Sequence, residues 1–373
     1  MAGWKEDFEK LVSFDSVSFR ERQTADWLCE RLKQMGFTVW EDNAGESYGG
    51  NAGNVFGRLE GELPGAPILF SAHMDVVEPG TGKKAVFEPE GTIRSRGNTV
   101  LGADDIAGII EILYGISYVQ EHSIPHRAVE VVFPIGEEVY IKGSDVIDYS
   151  QLKAEEAYVL DMSGDVGVAA RKAPSIISFQ VEVQGRASHA GFAPEAGIHA
   201  IQVAAKAITG LTMGRLEEGT TLNIGMVEGG VATNIVPERC VCTGEIRSFR
   251  HERALELVEE VREIFEDAAK ADAFEGKKDA AKITVTHKVH MEAYEVPKDA
   301  DIIKHFRQAC GILGLPGTVV ETFGGSDNNN FVKRGLEGLV LSCGMYQVHS
   351  VAEYSRTKEI ERGISLVAQL LQL

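Results

Sequence analysis

The apolar positions of this chain keep two rhythms. In "WKEDFEKLVS" (residues 4–13) and again over residues 20–35 they recur every three or four positions, the spacing of a helix with one buried face. "GFTVWED" and "NVFGRLEG" are short runs bounded by Gly, Asn and Asp, which predicts strands. "APILFSAHMD" is nearly continuous in apolar residues, as in a strand covered on both faces, and "DDIAGIIEILYGISYV" follows with helical period. "HRAVEVVFPIGEE" and "EAYVLDMSG" are further apolar strands. Strands and helices in alternation predict an α/β domain with a mainly parallel sheet covered by helices.

After Pro174 the rhythm changes. "SIISFQVEVQGRASH" alternates apolar and polar residues, as a half-exposed antiparallel strand does. A helix over "GIHAIQVAAKAITGL", strands over "TTLNIGMVEGG" and "ERCVCTGEIRSF", an amphipathic helix over "ERALELVEEVREIFEDAAKA" and a strand over "KITVTHKVHMEAY" follow. That order, β-α-β-β-α-β, is the ferredoxin-like one. Residues 175–290 are expected to form an inserted α+β domain, with residues 1–174 and 291–373 as the main domain. The "FEGKKDAAK" stretch at 274–282 reads as an exposed loop. Beyond 290 the first rhythm returns: a helix, "GTVVETF", "GLEGLVLSCG" and a C-terminal helix from "TKEIERGISLVAQLLQL".

The length of 373 residues agrees with two domains, because single cores stop growing near roughly 250–300 residues. A net charge of −19 argues against nucleic acid or an anionic membrane as partner, since both would be repelled. The first residues mix charges with apolar positions, unlike a signal peptide. No stretch reaches the roughly 18 apolar residues of a membrane span. Five scattered cysteines fit a reducing compartment, and a cytoplasmic protein is expected. Cys240 and Cys242 read as packing on one strand face.

Polar groups collect at strand ends, where open α/β sheets bind ligands. "ILFSAHMD" finishes in His73 and Asp75, "VEVVFPIGEE" in Glu137 and Glu138, and "AYVLD" in Asp161; His349 follows "GLVLSCGMYQV". "LGADDIAG" puts Asp104 and Asp105 at a helix start. Each alone is an ordinary cap or turn residue. Together they would repel one another without a cation. Imidazole with carboxylate, and no thiolate, suits Zn, Mn or Co.

The stretches "SAHMDVVEPG", "LGADDIAGIIEIL", "GEEVYIKGS", "VLDMSG", "ASHAGFAPEAGIHAI", "TNIVPE", "GEIRSF" and "GGSDNNNF", in this order, resemble the dizinc metallopeptidases that include peptidase T, dizinc carboxypeptidases, aminoacylase and acetylornithine deacetylase. The resemblance covers essentially the whole chain and points to the peptidase T-like branch. It implies two Zn2+ ions, with Co2+ or Mn2+ as substitutes. Asp104 would bridge them, His73 and Asp161 would complete one site, and Glu138 and His349 the other. Glu137 would be the general base. Asp75, two along the strand from His73, should share its face and accept its second ring N–H.

The resemblance further implies that the inserted domain is a lid and dimerisation domain. His189 would help hold the oxyanion, often from the partner subunit. Asn234 and Arg247 would meet the substrate's carboxylate or carbonyl, and Gly325 and Ser326 would lie in a substrate loop. The implied activity is a metal-dependent exopeptidase, a tripeptide-type aminopeptidase acting on short peptides as a homodimer. An amidase of the same fold, acting on N-acyl or N-carbamoyl amino acids, is the alternative. A catalytically inactive binding module is the distant third, disfavoured because every ligand and the base are present.

Overall fold

The computed structural model describes residues 3–274 and 279–373. Residues 275–278 of the loop expected at 274–282 lie outside the described residues. The chain divides into two compact units. The first runs through Lys172 and resumes at Glu295–Thr322 and Ser326–Leu373; the second is Ala173–Tyr294 with Phe323–Gly325.

The first unit is built on an eight-stranded sheet. Its centre is four parallel neighbours in the order Val129–Phe133, Ile68–Ser71, Glu156–Met162 and Glu337–Ser342. Their burial is nearly complete, which is why these segments read as unbroken apolar runs. Four of the seven pairings between neighbouring strands are parallel, Thr318–Val320 on Val168–Ala170 among them, so the sheet is mainly parallel with antiparallel pairings toward its edges. Thr38–Glu41 and Val55–Leu59 follow one another antiparallel on one side, and Val168–Ala170 runs antiparallel to Glu337–Ser342 on the other. A parallel neighbour needs a crossover of a dozen or more residues, and the link between Glu41 and Val55 carries no long helix to make one.

The helix Ala103–Glu121 is apolar almost all round and packs against both the sheet and the C-terminal helix Thr357–Leu370. The two helices approach at Gly115, where a Cβ would come within 2.6 Å of the Val367 side chain. A small antiparallel sheet of Ala85–Phe87, Thr92–Ser95, Tyr354–Arg356 and Met345–Tyr346 completes the unit. Strands of two to four residues are too short to show a period, so the sequence pattern does not announce them.

The second unit has five antiparallel strands in the order Gly214–Glu217, Thr220–Gly229, Arg239–Ser248, Ser175–Gln184 and Lys282–Met291. The last four hold the ferredoxin-like order; Gly214–Glu217 is an added edge strand. Helices Ala200–Gly210 and His251–Phe274 pack on the sheet over Phe179, Val181, Val183, Val203, Leu257 and Phe265. Cys240 and Cys242 are both buried in this core. Among the described residues, no helix is long and apolar enough to cross a membrane.

Candidate metal centre

The four central strands run parallel, so their carboxyl ends share one edge of the sheet. The strand at 68–71 stops at Ser71, and His73 and Asp75 lie past it. Strand periodicity therefore does not govern how these two meet. The His73 ring Nδ1 lies 3.0 Å from the main-chain oxygen of Asp75 and 3.4 Å from its carboxylate. The nearer acceptor is the Asp75 backbone, with the carboxylate also within reach of the same ring nitrogen. The buried carboxylate accepts the amide N–H groups of Glu137 (2.9 Å) and Glu138 (3.1 Å) and the Ser18 hydroxyl (2.7 Å). It ties the His73 loop to the turn that carries both glutamates.

Asp104 opens the helix Ala103–Glu121 with non-helical backbone, and its peptide bond to Asp105 is cis. Its two oxygens face different imidazoles. Oδ1 lies 3.1 Å from His73 Nε2, and Oδ2 lies 3.1 Å from His349 Nε2. His349, with φ of 59°, sits in the left-handed region sparse for non-glycine residues. Its Nε2 is also 3.0 Å from Glu138 Oε2. His73 Nε2 lies 3.9 Å from Asp161 Oδ1 at the end of its strand. Ligand atoms of His73, Asp104 and Glu138 all lie within 4.8 Å of one another, as do those of His73, Glu137 and Asp161.

The electrostatics describe a site crowded with acid. Burial, then the charge of Asp161, holds the Glu137 carboxyl well above the usual carboxylate range. Burial does the same to Asp161. Burial alone would pull His73 down, but its bonds to Asp104 and Asp75 drive it well up. Asp104 and Glu138 push His349 up to about 11. Asp104 moves the other way: bonds to His349 and His73 outweigh burial and hold it low. Protons alone would have to neutralise this cluster. Divalent cations fit it better. Glu138 Oε1 is buried with no hydrogen-bond partner, and two imidazole nitrogens converge on one carboxylate.

Two residues that hold the site have no motif in the sequence. The buried Glu353 accepts the amides of Leu101 (2.7 Å) and Gly102 (2.8 Å) on one oxygen and of Asp104 (3.0 Å) on the other. Glu21 accepts the amide of Gly136, beside Glu137, at 3.0 Å. Asp327 closes the "GGSD" stretch expected to form a substrate loop. It is buried, bonded by the Ser144 hydroxyl, pushed by burial to about 7, and among the charges that raise Glu137.

The expected substrate residues are placed differently. Ser326 is buried and its hydroxyl accepts the Asn328 amide at 3.3 Å, which commits it to the start of helix Asn328–Lys333. Gly325, in the second unit, packs so tightly on Met291 that a Cβ would come within 2.0 Å of its sulfur. His189 is exposed; its Nδ1 accepts the amides of Gly191 (3.1 Å) and Phe192 (3.2 Å), and its ring lies 4.3 Å from that of Phe192. Asn234 is exposed, and its main-chain oxygen accepts the Ala190 amide at 3.0 Å. Arg247 donates to Glu245 and to the Phe323 carbonyl, each at 2.7 Å.

Residues 54–208 match the model of peptidase family M28, and residues 172–273 match that of a peptidase dimerisation domain. The chain is 32% identical over 367 residues to the uncharacterized protein YqjE of Bacillus subtilis, covering 98% of this chain and 97% of that one. It is 25% identical over 374 residues to peptidase T of Clostridium botulinum, covering 98% of this chain and 88% of the relative. Among solved structures, aminopeptidase PepT from Bacillus cereus is 31% identical with a TM-score of 0.92. A tripeptidase from Staphylococcus aureus is 29% identical with a TM-score of 0.94; each match covers 99% of this chain and 97% of the other. Likeness of this extent runs through both units. The chain is therefore a metallopeptidase and belongs to the peptidase T family of metal-dependent peptidases.

Proposed function

We propose that this metallopeptidase is an exopeptidase that releases the N-terminal residue of short peptides, tripeptides foremost. The observation that carries the reading is the Asp104 carboxylate, with one imidazole 3.1 Å from each of its oxygens. His73, Asp104 and Asp161 would hold one divalent cation, zinc by family likeness, and Asp104, Glu138 and His349 a second. Bound there, such ions supply an acidified water and polarise the scissile carbonyl.

The chain's own residues do the rest. Glu137 takes a proton from the attacking water onto its carboxylate and delivers it to the nitrogen of the leaving amine. Its seat supports this role. Burial and Asp161 raise its proton affinity, and its neighbour Glu138, not Glu137, faces His349. Asp75 keeps Glu137 in place through the amide at 2.9 Å and steadies the same loop that orients His73. His189, Asn234 and Arg247 are assigned to substrate recognition by family likeness; the flat Arg fork suits a peptide carboxylate. A homodimer through residues 175–290 is supported by the match of residues 172–273 to a dimerisation domain.

The test is elemental analysis of protein purified without chelator, with cleavage of a tripeptide panel and of N-acetyl and N-carbamoyl amino acids. About two divalent ions per chain and release of the N-terminal residue are expected. Two ions with turnover of acylated amino acids only would move the assignment to an amidase. No bound metal after addition of zinc or cobalt would remove the proposed centre.

A further inference from the structure

The turn that carries Glu137 and Glu138 is hung on side chains. Four successive amides, those of Ile135, Gly136, Glu137 and Glu138, donate to Asn54 Oδ1 (3.0 Å), Glu21 Oε1 (3.0 Å), Asp75 Oδ1 (2.9 Å) and Asp75 Oδ2 (3.1 Å). Among the described residues, no hydrogen bond holds the Glu137 carboxyl itself. The backbone of this turn therefore sets where that carboxyl points.

Glu21 is the odd member of the set. It sits immediately before the helix Arg22–Gln34, where a side chain ordinarily caps the first free amides, yet it makes no such bond. Its Oε1 turns away from its own helix and accepts two amides, Phe19 at 2.7 Å and Gly136 at 3.0 Å. Its Oε2 is buried without a partner. The residue is fully buried, and burial followed by the charge of Asp75 pushes it up to about 7.

The adjoining loop grips the same turn. Phe19 is held at a φ of 69°, a strained value for an aromatic residue. Its ring stacks on Tyr48 and lies so close to Gly136 that a Cβ there would come within 2.7 Å of it. The Ser18 hydroxyl donates to the Asp75 carboxylate at 2.7 Å. Residues 18–21 thus form a cradle under the Gly136–Glu138 turn. A buried, half-satisfied carboxylate in a cap position is a costly way to start a helix. It is well placed to fix a turn.

We propose that Glu21 is a positioning residue for the peptidase reaction: through the Gly136 amide it fixes the orientation of the Glu137 carboxyl. The inference rests on Glu137 being the base. It separates catalysis from metal binding, because Glu21 touches no proposed ligand.

The experiment compares Glu21→Ala, Glu21→Gln and Glu21→Asp in the full-length, metal-loaded protein. kcat, KM, bound metal per chain and melting temperature are read for each. Glu21→Ala is expected to lower kcat about 10- to 100-fold, the scale of a misplaced catalytic group, with metal content unchanged and KM within about threefold. Glu21→Gln keeps an oxygen for both amides and should restore kcat to within about threefold of the parent. If Glu21→Ala does not accumulate as folded protein, Glu21→Asp carries the test: a kcat loss at parental metal content and melting temperature supports the inference, and parental kcat overturns it. Parental kcat in Glu21→Ala, a Gln variant as slow as the Ala one, or metal lost in step with kcat also overturns it. Failure of the base assignment shows separately: Glu137→Ala would then keep its turnover, whatever Glu21 does.

Discussion

The two units hold their polar residues in opposite ways. In the first, His73, Asp75, Asp104 and Glu137 are buried, and each is fixed by partners remote in sequence. Asp104 is steadied by Glu353, 249 residues away, and the Glu137 amide by Asp75, 62 residues away. In the second unit, His189 is exposed and held by the amides of its own loop two and three residues on. Arg247 leans on Glu245, two positions along the same strand, and on one carbonyl. The first arrangement has its geometry built before any substrate arrives. The second holds its groups through neighbours on the same loop or strand. A preorganised centre spends fold stability on exact placement.

The contrast can be broken by substitution. Asp104→Ala should have the largest effect: both sites lose their shared ligand, bound metal falls toward zero, and tripeptide turnover becomes undetectable. Retention of a full metal complement would mean that Asp104 is not shared. Glu353→Gln should come next, because an amide cannot accept the three backbone N–H groups that both carboxylate oxygens now take. Metal affinity should drop about 10- to 100-fold, the usual cost of disturbing a group behind a ligand, as measured by competition with a chromophoric chelator. An unchanged affinity would show that the Leu101–Asp104 loop holds itself.

Acid should act on the same centre with a defined sign. Asp104 and Glu138 push His349 up to about 11, so below that pH a proton competes with a cation for its ring. Metal affinity is expected to rise with pH, by about tenfold per unit for each proton displaced. Affinity flat from pH 6 to pH 8 would contradict that competition; the measurement is a chelator titration at each pH. The smallest effect belongs to the second unit. Arg247→Ala should raise KM for a tripeptide about tenfold, or lower kcat, with metal content unchanged. Parental kcat/KM would remove Arg247 from substrate recognition.

Much of this was legible in the sequence because the informative stretches are local. Apolar runs ending in His73, Glu137 or Asp161 announce strands whose ends carry chemistry, and the change of rhythm after Pro174 announces the inserted fold. What stayed hidden depends on chain paths that no local pattern records. His73 and Asp75 look like strand neighbours, but the strand ends at Ser71; the Asp75 backbone oxygen is the nearer acceptor for the ring, and the carboxylate, also within reach of it, holds the glutamate turn as well. Glu21 and Glu353 stand in plain surroundings, and only the folded chain brings them to Gly136 and Asp104. Ser326 resembles a substrate-loop residue until its hydroxyl is seen to be committed to a short helix rich in buried asparagines.

In the proposed reaction adjacent glutamates divide the work, Glu138 holding metal and Glu137 moving the proton. The most direct measurement is bound metal and tripeptide turnover for Glu137→Ala beside Glu138→Ala. Glu137→Ala is expected to keep the parental metal content and to lose roughly 10²- to 10⁴-fold in turnover, while Glu138→Ala should lose metal and activity together. Metal lost from Glu137→Ala but retained in Glu138→Ala would contradict this division, and the two roles would have to be exchanged.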